Sequence, residues 1–441
     1  MGMDPRGLCL VAQQLRSVRS GVGTYARLLC EGLARLGIPV VFATYEEECD
    51  PEAFPGFRWM PLGRRPRLDP TPGGFWTLGR RFRETWLRSP PPVEVCHFLD
   101  AREGHAFLRD GISPLPPRVV GTVHDDYAAR APRSPTAFFG RCADPIRRFA
   151  YYGWLRRLEA ASLPRFDLLL ANSEATGASL EEVYGVPRDR WRLTHLTIGR
   201  PVSTEARVLE GRPALIFLGG NWYRKGLDRV LRSLALCREA LPHPVLHVCG
   251  EDRKAAGRIA SLSASLGLER SVRFHGRVEP SEIERMLRGA DLMVQPSRRE
   301  ALGLAYLEAF QAGLPVIAAE GGGVTEIVQH GTSGWIAGDG SPVSLARALT
   351  TLSRDHALRQ RLRDGGKRIL ASRTPERMLL ETLEAYGLSA GASFVRGRSP
   401  KDEVEDSAPA NEAAAPQDSP LTSSRARRSL APKAEGANLR S

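Results

Sequence analysis

The strongest constraint on the fold is a repeated alternation of short apolar runs with longer stretches of helical periodicity. Continuous apolar runs are typical of parallel strands buried on both faces, and the helical stretches between them indicate βαβ units. The pattern occurs twice along the 441 residues, which is enough chain for two domains. We therefore predict an α/β protein with two doubly wound, Rossmann-like domains that face each other across a cleft.

The apolar runs give the predicted strands. In the first half they are Gly7–Ala12, Val40–Thr44, Val93–Phe98, Arg118–Val123 and Leu168–Ala171. In the second half they are Ala214–Leu218, Val245–Cys249, Val272–Phe274, Leu292–Gln295, Val316–Ala318 and Gly334–Ile336. The predicted amphipathic helices of this half include Leu227–Ala240, Pro280–Ala290, Leu302–Ala312 and Pro342–Leu352. Since such sheets bind ligands at the carboxyl ends of their strands, we expect the chemistry in the cleft.

Changes in composition set the predicted domain boundaries. A stretch with two prolines and little periodicity precedes the second set of strands, so we place the N-terminal domain at residues 1–204 and the C-terminal domain at 205–375. A helix at 376–388 is expected to return to the N-terminal domain. Residues 389–441 are rich in Ser, Ala, Pro and mixed charges. Such a segment buries too little apolar surface to fold, so we predict a disordered C-terminal tail.

Composition excludes several classes of protein. The net charge of +12 is spread as +6, +5 and +1 over residues 1–200, 201–387 and 388–441, without a nucleic-acid-binding motif, so we predict no nucleic-acid partner. The seven cysteines are scattered and never spaced as CxxC, which argues against a zinc site or a disulfide framework. No apolar stretch reaches the roughly 18–20 residues of a spanning helix, and the N-terminus does not resemble a signal peptide. We therefore predict a cytoplasmic protein.

Two segments of the second half contain residues suited to an anionic ligand. The predicted strand that ends at Leu218 is followed by Gly219 and Gly220, which let the backbone approach a ligand closely, and then by Arg224 and Lys225. Arginine can hold a phosphate bidentately and lysine acts as a point charge. The loop lacks the GxxxxGK[ST] spacing of a Walker A motif. A surface loop with solvated charges would have the same composition.

The stretch of residues 291–328 reads as strand, loop, helix, strand, glycine turn and helix. It places Glu300 before the helix and Glu308 within it. Eight helical residues rise about 12 Å, which is more than the roughly 5–9.5 Å between the carboxylates of a glycosidase. The two glutamates are better suited to accept hydrogen bonds from hydroxyl groups, although such a pair is also common on solvated helix faces. The amides of Gly303 and Leu304 open the helix, whose positive end favours an anion.

These segments together resemble the retaining glycosyltransferases of family 4. The run from Glu300 to Glu308 looks like the E-x7-E signature of that family. The loop Gly219–Gly226, the segment Phe274–Gly276 and the turn Gly322–Glu326 match its pattern in the expected order. The likeness is strong in the second half of the chain and loose in the first.

The resemblance implies a GT-B fold and a nucleotide-sugar donor as substrate, with neither a metal nor another cofactor. The implied reaction moves a hexosyl unit to a hydroxyl group of a glycan or lipid-linked glycan, in cell-envelope polysaccharide biosynthesis. Arg224 and Lys225 would hold the donor pyrophosphate, Glu308 the ribose and Glu300 the transferred sugar. The implied catalytic residues are His124, Arg224, Lys225 and Glu300, and the implied donor-binding residues are Gly21, Gly23, Gly219, Gly220, Gly303, Leu304 and Glu308.

One residue departs from the family pattern. Many members have an arginine five residues before the lysine, where this chain has Gly220. The basic residues are instead adjacent, in a form similar to the lipopolysaccharide core glucosyltransferases.

Two stretches of the first half allow a second interpretation. The sequence Gly21–Ala26 fits the G-x-G-x-x-G/A fingerprint of a dinucleotide site, but a polar stretch separates it from its strand. We therefore favour a glycine loop that faces the donor phosphates. The stretch Phe75–Arg88 mixes aromatic residues with arginines. It is either an ordinary helix with its aromatic residues packed inward or a surface for peripheral contact with the inner face of an anionic membrane.

Three alternative functions remain open from the sequence alone. They are a sugar-nucleotide epimerase on the same fold, an NAD-dependent oxidoreductase and a non-catalytic protein that binds nucleotide sugars. Neither the donor sugar, nor the acceptor, nor the oligomeric state follows from the residues.

Overall fold

Two parallel sheets form the centre of the protein. The computed structural model describes residues 7–16, 20–67, 74–109, 112–131, 133, 145–201 and 203–388. The predicted disordered tail at 389–441 lies outside the described residues. The sheets have seven and six strands, so the predicted α/β architecture is confirmed.

The first sheet has the strand order β3-β2-β1-β4-β5-β6-β7, and all its strands are parallel. Its strands are β1 (Gly7–Val11), β2 (Val40–Thr44), β3 (Arg58–Pro61), β4 (Val93–Phe98), β5 (Arg118–Val123), β6 (Leu168–Ala171) and β7 (Trp191–Leu193). The strand order reverses between β1 and β4. In doubly wound sheets, the crevice at this reversal binds the ligand.

Two strands of the first sheet are missing from the sequence prediction. Arg58–Pro61 and Trp191–Leu193 form the two edges of the sheet, and each contains an exposed residue. An edge strand has a solvated side, so it does not read as the continuous apolar run that identifies a central parallel strand.

The second sheet repeats this topology with the order β10-β9-β8-β11-β12-β13, again all parallel. Its strands are β8 (Ala214–Leu218), β9 (Val245–Cys249), β10 (Val272–Gly276), β11 (Leu292–Gln295), β12 (Val316–Ala318) and β13 (Trp335–Ile336). The order reverses between β8 and β11. The loops that follow these two strands contain the predicted basic pair and Glu300.

Helices connect the strands and cover both faces of each sheet. Those of the first half are α1 (Gly21–Arg35), α2 (Phe75–Arg88), α3 (Tyr127–Arg130), α4 (Pro145–Ser162) and α5 (Glu174–Tyr184). Those of the second half are α6 (Trp222–Lys225), α7 (Leu227–Cys237), α8 (Ala256–Ser265), α9 (Pro280–Gly289), α10 (Leu304–Gln311), α11 (Val324–Ile327), α12 (Pro342–Arg354), α13 (His356–Ala371) and α14 (Pro375–Tyr386). The helix predicted over Leu302–Ala312 is shorter because Gly303, at φ 95°, still belongs to the preceding turn.

One apolar cluster extends from the first sheet to the second. It includes Leu8 and Leu10 of β1, Ile216 and Leu218 of β8, and Phe310 of α10. All of these side chains are buried. Since the cluster is continuous between the sheets, apolar packing helps to fix the loops of one half against those of the other.

Helix α14 packs against α1 of the N-terminal half. Leu379 is buried so close to α1 that a Cβ atom on Gly32 would lie 2.8 Å from its Cδ2. Farther along, the Tyr386 hydroxyl lies 2.6 Å from Nδ1 of His97, and Glu381 Oε1 lies 2.6 Å from Nδ1 of His195. The last described helix is therefore held to the first sheet by both apolar and polar contacts.

Three of the four aromatic residues of α2 point into the protein, and the fourth, Trp76, is half-buried. Phe75, Phe82 and Trp86 are buried, whereas Arg80 is exposed and pairs with Glu84 at 3.3 Å. These three side chains therefore belong to the core, and contact between this helix and a membrane stays a prediction. Among the described residues, no helix combines the length and the apolar character needed to cross a bilayer.

We expect Leu379→Ala to destabilise the protein by roughly 2–5 kcal/mol, because it removes buried methyl groups and leaves a cavity beside Gly32. The free energy of unfolding in urea measures this effect. Leu236→Ala is the matched control, since Leu236 is 61% exposed and its truncation should change stability by about 0.5 kcal/mol or less. Equal stabilities of the two variants would show that α14 does not anchor the fold.

Candidate functional site

The loop after β8 brings two cations to the carboxyl end of the sheet. Gly219 has φ 95°, and a Cβ atom there would lie 2.9 Å from Cε of Lys225. The single turn α6 follows, and Gly226 ends it at φ 84°. Arg224 and Lys225 occupy the last two positions of this turn. The glycines therefore let the chain fold back so that the lysine stem crosses its own loop.

Gly220, where many family members have arginine, is also close-packed. A Cβ atom at this position would lie 2.7 Å from the backbone oxygen of Glu251. A side chain would require the backbone to shift, so this loop has no room for the arginine of the family pattern. The cation that accompanies Lys225 in this loop is Arg224 instead.

The loop after β11 holds Glu300 and is anchored by its neighbour. Arg298 forms a bidentate pair with Asp228 at 2.8 and 2.7 Å, the geometry that gives guanidinium–carboxylate pairs their specificity. The same guanidinium lies 3.9 Å from the ring centroid of Tyr223. Because Asp228 and Tyr223 belong to the segment around the first loop, Arg298 fixes the two loops to each other.

Four donors surround the carboxylate of Glu300. Arg224 Nη1 lies 2.9 Å from Oε2, and Lys225 Nζ lies 3.0 Å from Oε1. Ser297 Oγ donates to Oε1 at 3.0 Å, and the Tyr127 hydroxyl donates to Oε2 at 3.4 Å. A carboxylate offers about four lone-pair sites, so every site of Glu300 has a donor. Glu300 itself is only 6% exposed.

The cations decide the charge of Glu300. Burial by itself would raise the pKa of this carboxyl, but the positive charges of Lys225 and Arg224 lower it to about 2. Burial opposes the charge of Arg224 as well, yet the Glu300 carboxylate raises the pKa of that guanidinium above its ordinary value. The Glu300 carboxyl and the Arg224 guanidinium are therefore both ionised near neutral pH.

Glu308 lies in a different environment, although both glutamates belong to the same predicted signature. It is half-buried on α10, and no ion pair holds it within the described part of the chain. Burial raises the pKa of Glu308 to about 7, partly offset by the charge of Lys225. A carboxyl that is kept near its titration point by desolvation is typical of functional sites.

Leu304, the first residue of α10, faces the start of α1, and Gly303 is the N-cap of α10. A Cβ atom on Gly21 would lie 2.8 Å from Cδ1 of Leu304. The backbone N–H of Gly23 donates to Oγ of Ser20, the N-cap of α1, at 3.2 Å. The structure thus brings Gly21 next to Leu304, although their helices belong to different halves of the chain. Since β1 ends at Val11 and α1 begins at Gly21, these glycines do not directly follow their strand.

His124 follows β5 and is half-buried. Its Nε2 lies 2.7 Å from the carbonyl oxygen of Leu99, which can only accept, so Nε2 carries a proton. Burial lowers the pKa of the imidazole, which therefore is neutral near pH 7. Within the described residues, His124 makes no hydrogen bond or ion pair with Glu300 or Arg224.

Residues that the sequence analysis did not assign complete the cluster. Tyr127 lies under the guanidinium of Arg224, with 4.7 Å between the guanidinium carbon and the ring centroid. Its neighbour Asp126 accepts a hydrogen bond from Nε of Arg299 at 2.9 Å and forms a second contact with that guanidinium. Asp126 and Arg299 are 173 positions apart in the chain, so no local spacing signals their contact.

The glycine turn after β12 also contacts the N-terminal half. Glu326, the last residue of the turn that matches the family pattern, accepts hydrogen bonds from the backbone N–H groups of Glu174 and Ala175 at 3.0 and 3.1 Å. These N–H groups open α5, where a carboxylate is favoured by the helix dipole. Glu326 therefore joins the two halves. Within the described ranges, no group of three or more His, Cys, Asp or Glu side chains could hold a metal ion.

Two family models match this chain. The model described as Glycosyl transferases group 1 matches residues 203–369, and the model described as Glycosyltransferase Family 4 matches residues 19–198. A curated relative, the D-inositol 3-phosphate glycosyltransferase of Nocardia farcinica, is 28% identical over 57% of this chain and 57% of its own length. The relative of the same name from Nocardioides sp. is 28% identical over 69% of this chain and 70% of its own length. The chain spans little more than half the length of the first of these relatives.

Solved structures show the same architecture. Alr3699/HepE of Anabaena, in complex with UDP and glucose, has a TM-score of 0.62 at 17% identity, with 87% of this chain and 99% of that chain covered. WaaG, a glycosyltransferase involved in lipopolysaccharide biosynthesis, has a TM-score of 0.62 at 17% identity, with 89% and 100% covered. At such identities the similarity establishes the fold. The predicted resemblance is confirmed, and the chain belongs to the family 4 glycosyltransferases with the GT-B fold.

Proposed function

We propose that the protein is a retaining glycosyltransferase that moves a hexosyl unit from a nucleoside-diphosphate sugar to a hydroxyl group of an acceptor. The observation that supports this most strongly is the cluster in which Arg224 and Lys225 bind Glu300 at the carboxyl ends of β8 and β11. The cluster supplies two fixed positive charges for a diphosphate and a carboxylate for sugar hydroxyls. It lies where doubly wound sheets bind their ligands.

In this proposal, the diphosphate of the donor competes with Glu300 for the two cations. Arg224 and Lys225 would turn from the carboxylate to the phosphate oxygens, with the amides of Gly303 and Leu304 as further donors. As the bond to the sugar breaks, negative charge develops on the leaving diphosphate. Cations that already contact the phosphate oxygens stabilise this developing charge more strongly than they stabilise the bound donor. They therefore lower the barrier.

The two glutamates would then bind different parts of the donor. Glu300, released from two of its donors, would accept hydrogen bonds from hydroxyls of the transferred sugar, and Glu308 would accept them from the ribose. His124, neutral and oriented by Leu99, would line the sugar site. The acceptor oxygen would bond to the anomeric carbon on the face that the diphosphate leaves, and its proton would pass to a phosphate oxygen. Closure of the cleft would exclude water.

The acceptor in this proposal is a glycan or lipid-linked glycan of the cell envelope. The similarity to WaaG, described as involved in lipopolysaccharide biosynthesis, supports this class. The curated relatives are named for a smaller acceptor, D-inositol 3-phosphate, which belongs in any acceptor screen. The structure of HepE in complex with UDP-glucose suggests UDP-glucose as the first donor for such a screen.

The proposal is tested by nucleotide release from a panel of UDP-, GDP- and ADP-sugars. We expect slow release from one donor by the wild type and none above background by Glu308→Ala. The sugar product separates transfer or hydrolysis from epimerisation, which would change the sugar and leave it on the nucleotide. Absence of release, together with absence of thermal stabilisation by every nucleotide, would contradict the proposed donor site.

Lys225→Ala should lower turnover at least ~10²-fold, the scale for loss of one preorganised partner of the developing charge. Initial rates at saturating donor measure the effect. Lys367→Ala is the control, because Lys367 is an exposed lysine whose side chain is 66% accessible and whose partner Asp364 lies 3.8 Å away. Turnover of Lys225→Ala within a few-fold of the control would refute the role of this lysine.

The two glutamates should affect stability with opposite dependence on pH. The pKa of Glu300 falls from 4.5 to about 2 on folding, so its ionisation stabilises the fold above pH 4.5, and this contribution is lost as the pH falls toward 2. The pKa of Glu308 rises from 4.5 to about 7. Its ionisation therefore destabilises the fold increasingly between those two values.

Accordingly, Glu300→Gln should be less stable than the wild type at about pH 7, with a difference that shrinks below the ordinary carboxyl pKa. Glu308→Gln should gain stability relative to the wild type as the pH rises from about 4 to about 8. Urea unfolding of the three proteins at a series of pH values measures both trends. The same pH trend in both variants would show that the environments of the two carboxyls do not differ as described.

A further inference from the structure

Tyr127 touches both charged partners at the centre of the site. It is the first residue of α3, in the N-terminal half, whereas Glu300 and Arg224 belong to loops of the second sheet. Its hydroxyl donates to Glu300 Oε2 at 3.4 Å, and its ring lies 4.7 Å from the guanidinium carbon of Arg224. Burial, together with the negative charge of Glu300, raises the pKa of the phenol, which stays protonated and able to donate.

The position of Tyr127 is fixed from several sides. Its backbone N–H donates to Oδ1 of Asp125 at 3.3 Å, and Asp125 pairs with Arg102 at 3.1 Å. The backbone of the next residue is held by Arg156, which donates to the carbonyl oxygen of Ala128 at 2.9 Å. Because the backbone is held here and the ring packs against Arg224, the hydroxyl is directed at Glu300 with little further loss of side-chain entropy.

The four donors of Glu300 differ in what a diphosphate would do to them. Arg224 and Lys225 carry charges that a diphosphate attracts, whereas Ser297 and Tyr127 are neutral. Loss of the cations from the carboxylate frees acceptor sites for sugar hydroxyls but also removes the two strongest restraints on its orientation. Ser297 bonds only to Oε1, so Tyr127 is the remaining described donor to Oε2.

We infer that Tyr127 is a positioning residue: it keeps Glu300 directed at the sugar after Arg224 and Lys225 turn to the diphosphate. This inference rests on the proposed function and deepens it. The ring of Tyr127 has a second effect, since it supports the Arg224 guanidinium by a cation–π contact. The two contacts predict different consequences for the hydroxyl and for the ring.

The test compares Tyr127→Phe with the wild type, using the active donor and its nucleoside diphosphate. Phenylalanine keeps the ring under Arg224 and removes only the hydrogen bond to Glu300. We expect the dissociation constant of the nucleoside diphosphate to change less than about twofold. Turnover should fall about 10-fold or more, the range for a hydrogen bond to a charged group. The difference in turnover between the preferred donor sugar and the others should become smaller.

Tyr152→Phe is the matched control. Tyr152 lies on α4 of the same half, where its hydroxyl accepts a hydrogen bond from Arg148 at 3.4 Å and its ring contacts the same guanidinium. Removal of this hydroxyl in Tyr152→Phe should leave both nucleotide affinity and turnover unchanged. Tyr127→Ala, which also removes the ring, should weaken nucleoside diphosphate binding in addition to turnover.

Each outcome for Tyr127→Phe decides the inference. Unchanged turnover and sugar preference would overturn it, and so would equal losses of nucleotide affinity and turnover, which indicate general structural damage. The wild type tests the proposed function separately. If the wild type neither binds nor consumes any donor, the proposed function fails and the inference fails with it. If the wild type is active and Tyr127→Phe is equally active, the inference alone fails.

Discussion

The site depends on one buried carboxylate and the donors that surround it. Burial alone would disfavour the charge of Glu300, but Lys225 and Arg224, which pair with it at 3.0 and 2.9 Å, lower its pKa to about 2. A buried ion cluster contributes little net stability, although loss of one partner leaves the others unpaired and is strongly destabilising. The arrangement is therefore better explained by binding than by stability: the carboxylate holds two cations where a diphosphate can take them over.

The fold concentrates these groups because strands of a parallel sheet end at a common edge. The loops after β8 and β11 lie on either side of the reversal in strand order, and Arg298 fixes them to each other through Asp228. The N-terminal half completes the site across the cleft, with Tyr127 on Glu300 and Arg299 on Asp126. Neither half alone contains all the groups that contact the central carboxylate.

The central strands and the loops of the second sheet could be predicted from sequence because their signals are local. Buried parallel strands such as Val40–Thr44 read as continuous apolar runs, and the glycines and cations of residues 219–226 lie within one loop. The edge strand Arg58–Pro61 could not be predicted in this way, since one side of it is solvated. The contact of Tyr127 with Glu300 arises only from tertiary packing, and a lone tyrosine after a strand has no distinguishing pattern.

The most direct test of the central claim is the affinity of a nucleoside diphosphate without a sugar for the wild type and for Glu300→Gln, measured by isothermal titration calorimetry with UDP, GDP and ADP. If Glu300 occupies the cations that the diphosphate must recruit, removal of its charge takes away a competing anion. The account predicts that Glu300→Gln binds the preferred nucleoside diphosphate more tightly than the wild type does. Weaker binding would show that Glu300 supports the diphosphate site and does not compete for its cations, which would contradict the account.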